Sequence, residues 1–432
     1  MLLKRKEYDA AIEQFTRVLK NDPGSVEALF SRAGAYFASK RFDEAFNDYT
    51  AIISIAPREP VAYFNRGCLY QKQREFENAI KDFSKAIEHR PQYSEAYFNR
   101  GKIYFSRGQF DLAAADFQQA IANTPEDADA YTSLGLIALT QQQFDEAVGY
   151  FSKALGINPQ NEKAYGNRGN AYEMLGRFEE ALVDYTKVEE LTPRDQRTYM
   201  NRALLRLKMQ NEDGAIEDYT KAIQVSPQLV KAYSGRGLVY LKRKRYQKAF
   251  EDFSDAVRLN PNDVASWVHR GQSCVAAGKL DDGIKDFQHA LKLHPEDPDA
   301  QYQLGLTYVK LKRFDEANAC FTKMIEFAPD DTNGFCSRGW VAIKCGKFEE
   351  GLADYRKAVE INPKLVHAHY QCGLALRLLN RLPESAAAFT HVIELDAKNI
   401  PAYQNRCQIF QLLGDAAQAE HDAAKIAELK FF

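Results

Sequence analysis

The sequence predicts an all-α solenoid of tandem helical hairpins, and three observations predict it. Pro23, Pro57, Pro91, Pro125, Pro159, Pro193, Pro227, Pro261, Pro295, Pro329 and Pro363 stand 34 residues apart, with no insertion or deletion between them. Each interval carries two runs of apolar residues at helical spacing. Two further sites in each interval hold only small side chains. A fixed period of this length marks a repeat architecture, in which each unit buries its apolar face against its neighbours.

With the proline placed at position 32, full repeats begin at Val26, Pro60, Ser94, Ala128, Glu162, Gln196, Val230, Val264, Pro298, Thr332, Val366 and Ile400, which makes twelve. Residues 1–25 form a partial N-terminal repeat that starts at position 10 and supplies only the second helix. Residues 26–432 are expected to form one solenoid domain. Repeat 60–93 shows the elements in order. In helix A, Tyr63, Gly67 and Tyr70 fall at helical spacing. Position 8 is Gly in nine repeats and Ala33, Ala203 or Cys407 in the others, small enough for two helix backbones to approach closely. In helix B the stripe is Phe76, Ala79, Phe83 and Ala86, and position 20 is Ala, Gly or Ser throughout. Aromatic knobs come from Tyr63, Tyr97, Tyr131, Tyr165, Tyr199, Tyr233 and Trp267 at position 4 and from Phe or Tyr at position 24. The proline follows helix B and stops it, since it lacks an N–H and clashes with the preceding turn.

Composition excludes several function classes. The 57 basic and 59 acidic residues nearly cancel, so nothing electrostatic points to nucleic acid or an anionic membrane. No apolar run reaches the roughly 18 residues of a membrane span, and the N-terminus MLLKRKEYDAAIEQF lacks the apolar core of a signal peptide. The seven cysteines are odd in number and include no CxxC. Cys274, Cys372 and Cys407 stand where other repeats have Tyr, Arg and Gly or Ala, and read as small core fillers. A reducing, cytoplasmic setting is expected, a ciliary or cytoskeletal assembly included. His367 and His369 are two apart, which points them to different helix faces. No metal and no cofactor is expected.

An aromatic at 4, Gly at 8, Tyr at 11, Ala at 20, an aromatic at 24, Ala at 27 and Pro at 32 together resemble the tetratricopeptide repeat family, over essentially the whole chain. The resemblance implies a right-handed superhelix of antiparallel helix pairs, with positions 2, 5, 6, 9, 12 and 13 of the A helices lining a concave groove. Departures include Leu29, Gln301 and His369 at position 4, Arg206 at position 11 and Ala423 at position 24, where looser packing is expected.

Comparison between repeats yields an ion pair. Position 7 is Arg32, Arg66, Arg100, Arg168, Arg202, Arg236, Arg270, Arg338 and Arg406, and position 23 of the same nine repeats is Asp48, Asp82, Asp116, Asp184, Asp218, Asp252, Asp286, Asp354 and Asp422. The other three lack both partners, having Leu134 with Tyr150, Leu304 with Cys320 and Cys372 with Ala388. Pairing across repeats instead would mismatch six of eleven junctions. A structural bridge from helix A to helix B within each repeat is therefore expected.

Three features of the groove positions point to a polypeptide partner. Position 6 carries Asn65, Asn99, Asn167, Asn201 and Asn405. A carboxamide both donates and accepts, so repeated amides can bracket an extended backbone. The arrangement is similar to the asparagine ladder of the repeat-bearing O-linked GlcNAc transferases. Here it is interrupted by Ser31, Ser133, Gly235, His269, Gln303, Ser337 and Gln371. Phe30, Phe64 and Phe98 at position 5, with Phe37 and Phe105 at position 12, form a candidate aromatic patch. Lys163, Arg197 and Lys231 at position 2, with Lys208 and Lys242 at position 13, follow Glu27, Glu95 and Asp129, a change of sign that would orient a partner. The run Lys242–Arg245 falls at a turn between helices and reads as solvated. No repeat has Lys at position 5, which the family's clamp for chaperone C-termini requires.

The expected function is a protein-interaction scaffold or adaptor, not an enzyme. No phosphate loop, nucleophile elbow or HExxH interrupts the repeats. The alternative is the substrate-recognition part of a longer glycosyltransferase-like enzyme. Helix B alone at residues 1–25 leaves Phe15 and Val18 short of a partner, and the C-terminal repeat ends in Phe431 and Phe432. The N-terminal end suggests a longer array or an end covered by another subunit, whereas the Ala-rich, charged final repeat is closer to a cap.

Overall fold

The computed structural model describes residues 2–430, so Phe431 and Phe432 lie outside the described residues. Among the described residues there are 25 helices and no strand. The chain divides into two compact units between Asn211 and Glu212. The first opens with the helix Leu2–Asn21, carries the five hairpins of repeats 26–195 and ends with the helix Gln196–Lys208. The second opens with the helix Glu212–Val225 and carries the six hairpins of the repeats that start at Val230 to Ile400.

Each repeat folds the same way because the same local signals recur. Helix A runs 13 residues, as in Pro60–Lys72, and helix B runs 14, as in Phe76–His89. Acceptor side chains cap several A helices: Asp127 accepts from the N–H groups of Asp129 and Ala130, and Asn161 from that of Ala164. The turn between A and B needs a left-handed residue at position 15. Gly108, Gly176, Gly278, Gly346 and Gly414 supply it, as do Lys40, Arg74, Gln142, Gln210, Lys244, Lys312 and Asn380, at φ from 56° to 83°. Helix B stops just before the proline, where Ala56 N–H still reaches the Ile52 carbonyl at 2.7 Å but Pro57 has no N–H to continue. The position 4 ring then ties that proline to the next helix A. Tyr63 and Tyr199 hydroxyls donate to the carbonyls of Pro57 and Pro193 at 3.2 and 2.9 Å, and the Trp267 indole N–H donates to Pro261 at 2.9 Å.

The core runs along the contacts between these helices. Ala62, Ala79, Phe83 and Ala86 are fully buried. The need for a small residue at position 8 has a specific cause. The position 24 ring of the same repeat lies against it: a Cβ on Gly67 would sit 2.8 Å from the Phe83 ring, and one on Gly135 only 2.6 Å from Phe151. Leu29 and Gln301, where looser packing was expected, are each only 4 % exposed, because an apolar chain and a long amide fill the site of the missing ring. On the N-terminal helix Leu2–Asn21 Val18 is exposed and Phe15 half-buried. No helix among the described residues is long and apolar enough to cross a membrane.

Candidate functional site

Charged groups inside the repeats and charged groups on the helix A face have different settings. Inside, among the described residues, eight of the nine arginines form a fork with their aspartates: Arg32 Nε and Nη2 donate to the two Asp48 oxygens at 2.9 and 2.7 Å. The same bidentate geometry joins Arg66 to Asp82, Arg100 to Asp116 and Arg168 to Asp184 in the first unit. In the second it joins Arg236 to Asp252, Arg270 to Asp286, Arg338 to Asp354 and Arg406 to Asp422. Arg202 and Asp218 lie on either side of the unit boundary and are both buried. Arg202 Nη1 stands 2.6 Å from Glu189 and donates to Thr186. The hydrogen bonds that the Arg32 guanidinium donates to Asp48 hold it above its ordinary pKa against the opposing pull of burial. At Asp252 burial wins and raises the carboxyl, although Arg236 pulls it down.

A third member of this cluster sits one repeat earlier. Arg32 Nη1 donates to Thr16, Arg66 to Thr50, Arg100 to Ser84 and Arg168 to Ser152. Arg236, Arg338 and Arg406 likewise donate to Thr220, Thr322 and Thr390. Position 25 is Ser or Thr before every Arg repeat and is Gln118, Gln288 or Arg356 before the three that lack Arg. The repeat-to-repeat comparison that paired 7 with 23 contained this signal at position 25 as well. At Arg270 the guanidinium stands closer to its aromatic neighbour, 4.4 Å from the Trp267 ring against 5.8 Å for Arg66 and Tyr63. Ser254, its counterpart at position 25, has a buried hydroxyl without a hydrogen-bond partner among the described residues.

On the helix A face of the first unit, four of the candidate residues meet. Lys163, Asn167, Arg197 and Asn201 line one cleft of about 240 Å³, with Asn170 and Thr198 beside them and Tyr185 and Val188 among its apolar lining. The side-chain amides of Asn167 and Asn201 make no hydrogen bond among the described residues. Asn65 is half-buried and lies outside this cleft, while Asn99 turns back to the Glu95 carbonyl at 2.9 Å. In the second unit Asn405 is engaged: it donates to Tyr370 and accepts from Arg377. The ladder is broken at Gly235 for a steric reason, since a Cβ there would meet the Tyr219 ring at 2.6 Å.

The other two features are modified by their neighbours. Phe30, Phe64 and Phe98 are half-buried and pack on rings below, Phe64 with its centroid 4.9 Å from Tyr93 and Phe98 5.6 Å from Phe117. Phe105 is half-buried against Phe110, and Phe37 is exposed although it meets Phe42 edge-on. Along position 2, Glu27, Glu95 and Asp129 are exposed acids, and Lys163 and Arg197 are exposed bases. The bases carry acids beside them: Arg197 contacts Asp195 at 3.1 Å, and Glu162 lines the same cleft. Lys208 pairs with Glu173 and Lys242 with Glu212, each at 2.7 Å, while Arg243 bonds to Asp213. Lys231 is exposed at the start of the second unit's first helix A.

The second unit contains an apolar cavity that recurrent residues do not reveal. About 520 Å³ in volume, it is lined by Tyr302, Leu306, Val309, Cys336, Ser337 and Trp340 among others, all at groove positions of two successive repeats. Its signal in the sequence is a single departure, the only aromatic at position 9.

Family models described as tetratricopeptide repeat match residues 2–60, 64–128, 103–162, 162–195, 196–229, 230–263 and 275–334, and one described as TPR repeat matches 341–379. No curated protein matches the chain. Among solved structures, yeast Tom70 is similar at 20 % identity, covering 94 % of this chain and 92 % of its own, with a TM-score of 0.42. The C-terminal part of a TPR repeat-containing protein from Cytophaga hutchinsonii aligns at 22 % identity over 55 % of this chain and 97 % of its own, with a TM-score of 0.49. YrrB, described as a TPR protein with an unusual peptide-binding site, aligns at 26 % identity over 43 % of this chain and 95 % of its own, with a TM-score of 0.37.

Proposed function

Because this chain belongs to the tetratricopeptide repeat family, we propose that it is a protein-interaction scaffold that holds an extended segment of a partner polypeptide along its A helices. One observation carries the reading. Asn167 and Asn201, a repeat apart, present uncommitted carboxamides in one cleft between Lys163 and Arg197. Such amides can accept from and donate to a peptide backbone of any sequence. The apolar surface left at the rim supports side-chain contacts, and the exposed bases and acids at position 2 set the direction in which the segment lies. The work of the site is binding, with no bond made or broken. All seven cysteines are free thiols, which suits a reducing compartment.

Affinity capture from extracts of the source cells tests the reading. Asn167→Ala with Asn201→Ala should lower recovery of at least one partner about tenfold, the 1.4 kcal/mol of one to two lost hydrogen bonds. Unchanged melting would show that the fold is intact. Equal recovery of every partner by the variant and the parent would refute this use of the cleft.

A further inference from the structure

Four polar side chains ring the apolar cavity of the second unit, and none is committed elsewhere. The floor is Phe321, fully buried, with Tyr302 leaning over it at 6.3 Å between ring centroids. Leu306 and Val309 make one wall, and Trp340 makes the other. Space exists between these walls because Cys336 and Ser337 are short where Phe, Tyr or Asn stand at the same positions of many other repeats. Trp340 is 37 % exposed, and the Lys344 ammonium sits 5.2 Å from its ring centroid. Thr332, Asn333, Ser337 and His367 complete the lining, and their side chains make no hydrogen bond among the described residues. No carboxylate, ammonium or guanidinium lines the cavity, and His367 is its one basic side chain. The volume falls in the range of about 300–1,000 Å³ found for small-ligand clefts with apolar walls and few converging polar groups.

We propose that this cavity is an anchor site for an uncharged aromatic side chain of the partner polypeptide. The inference rests on the groove reading and adds the chemistry of the residue recognised. Charge matching selects the occupant: a charged side chain would lose its hydration against Tyr302, Leu306 and Trp340 with no opposite charge to meet it. A ring gains offset or edge contacts with Trp340, Tyr302 and Phe321. The peptide groups flanking that ring come to the rim, where Asn333 and Ser337 offer donors and acceptors. In the first unit, by contrast, the cleft is lined by two bases, two acids and amides, so it suits backbone and polar groups.

The chain contains two tryptophans, Trp267 and Trp340, so fluorotryptophan labelling gives two fluorine resonances, assigned with Trp267→Phe. The probes are acetyl-Ala-Phe-Ala-amide, acetyl-Ala-Glu-Ala-amide and acetyl-Ala-Lys-Ala-amide, titrated into the full chain. The Phe peptide should shift the Trp340 resonance saturably and leave that of Trp267 in place. The charged peptides should need at least tenfold higher concentration. Leu306→Lys should weaken the Phe peptide at least tenfold. A Trp340 resonance that ignores the Phe peptide, or follows all three peptides equally, overturns the proposal. If that happens while Asn167→Ala/Asn201→Ala still loses a captured partner, the anchor fails and the groove reading stands. A Phe-specific shift with unaffected capture keeps the anchor and removes the role given to the asparagines.

Discussion

Arg66 and Asp82 show how much a single buried side chain can matter in this protein while adding little net stability. Their forked hydrogen bonds are 2.7 and 2.9 Å long, and Asp82 is 5 % exposed. Removing both charges from water costs about what their attraction returns, whereas removing one leaves the other buried alone. Arg66→Ala should therefore destabilise by about 3–5 kcal/mol in urea unfolding. Arg66→Leu combined with Asp82→Tyr, the combination already present at Leu134 and Tyr150, should come within about 1 kcal/mol of the parent. A double variant as damaged as the single one would show that the pair stabilises on balance. Gly135 makes a steric version of the same point. A Cβ there would lie 2.6 Å from the Phe151 ring, so Gly135→Ala should cost about 1–3 kcal/mol through overpacking, against little effect at Gly149, where the space is open.

At the scale of the element, the three-residue turn between helices A and B is the costly piece. Position 15 is left-handed in every complete repeat, a conformation that costs a residue with a Cβ about 1–2 kcal/mol. Glycine relieves that cost but has more freedom to lose on folding. Lys40→Gly, Gln142→Gly and Lys312→Gly should each stabilise by about 0.5–1 kcal/mol, and thermal melting of the singles and the triple checks it. The three sites are far apart in the chain, so their effects should add. Gly108→Ala should move the other way. Helix boundaries were legible because the proline, the small residues and the rings recur in phase. The left-handed turn was not, since Lys, Arg, Gln, Asn and Gly share that position and hide its common backbone.

For the molecule as a whole, burial of titratable groups sets the response to alkali. Desolvation raises the Cys68, Cys320 and Cys336 thiols from 9.0 to about 11, and Tyr49 from 10.0 to about 12. These folded values lie above the unfolded ones. The stability they contribute is thus complete below pH 9 and is lost as pH rises through 11. Urea midpoints should hold steady from pH 7 to 9 and fall between 9 and 11, and Cys68→Ala with Cys320→Ala should shallow that fall. At pH 8 a thiol reagent should label Cys345, which is exposed, well before the buried Cys274, Cys320 and Cys372.

Legibility followed recurrence. The hairpins, their packing rings and the Arg–Asp partnership were readable because one sequence contains twelve versions of each environment. The groove was readable only in part. Side chains there are not fixed by packing on the neighbouring repeat, so they vary, and the cavity beside Trp340 arises from Cys336, Ser337 and Trp340 together, a combination that no periodicity marks. The packing of Phe64 on Tyr93 and the pairing of Arg197 with Asp195 depend on rotamers that residue identity leaves open.

The Ser or Thr at position 25 gives every Arg repeat except that of Arg270 a polar tether to the one before it. Such a tether exists at Thr50–Arg66 and Thr322–Arg338, and ahead of Leu304 and Cys372 position 25 keeps a polar link in Gln288–Tyr308 and Arg356–Glu384, whereas Gln118 ahead of Leu134 makes none among the described residues. A linear array unfolds like a row of dominoes whose spacing decides how far a fall travels. Amide exchange should therefore find seams before residues 128 and 264, where position 25 makes no link to the next repeat, and opening should halt there.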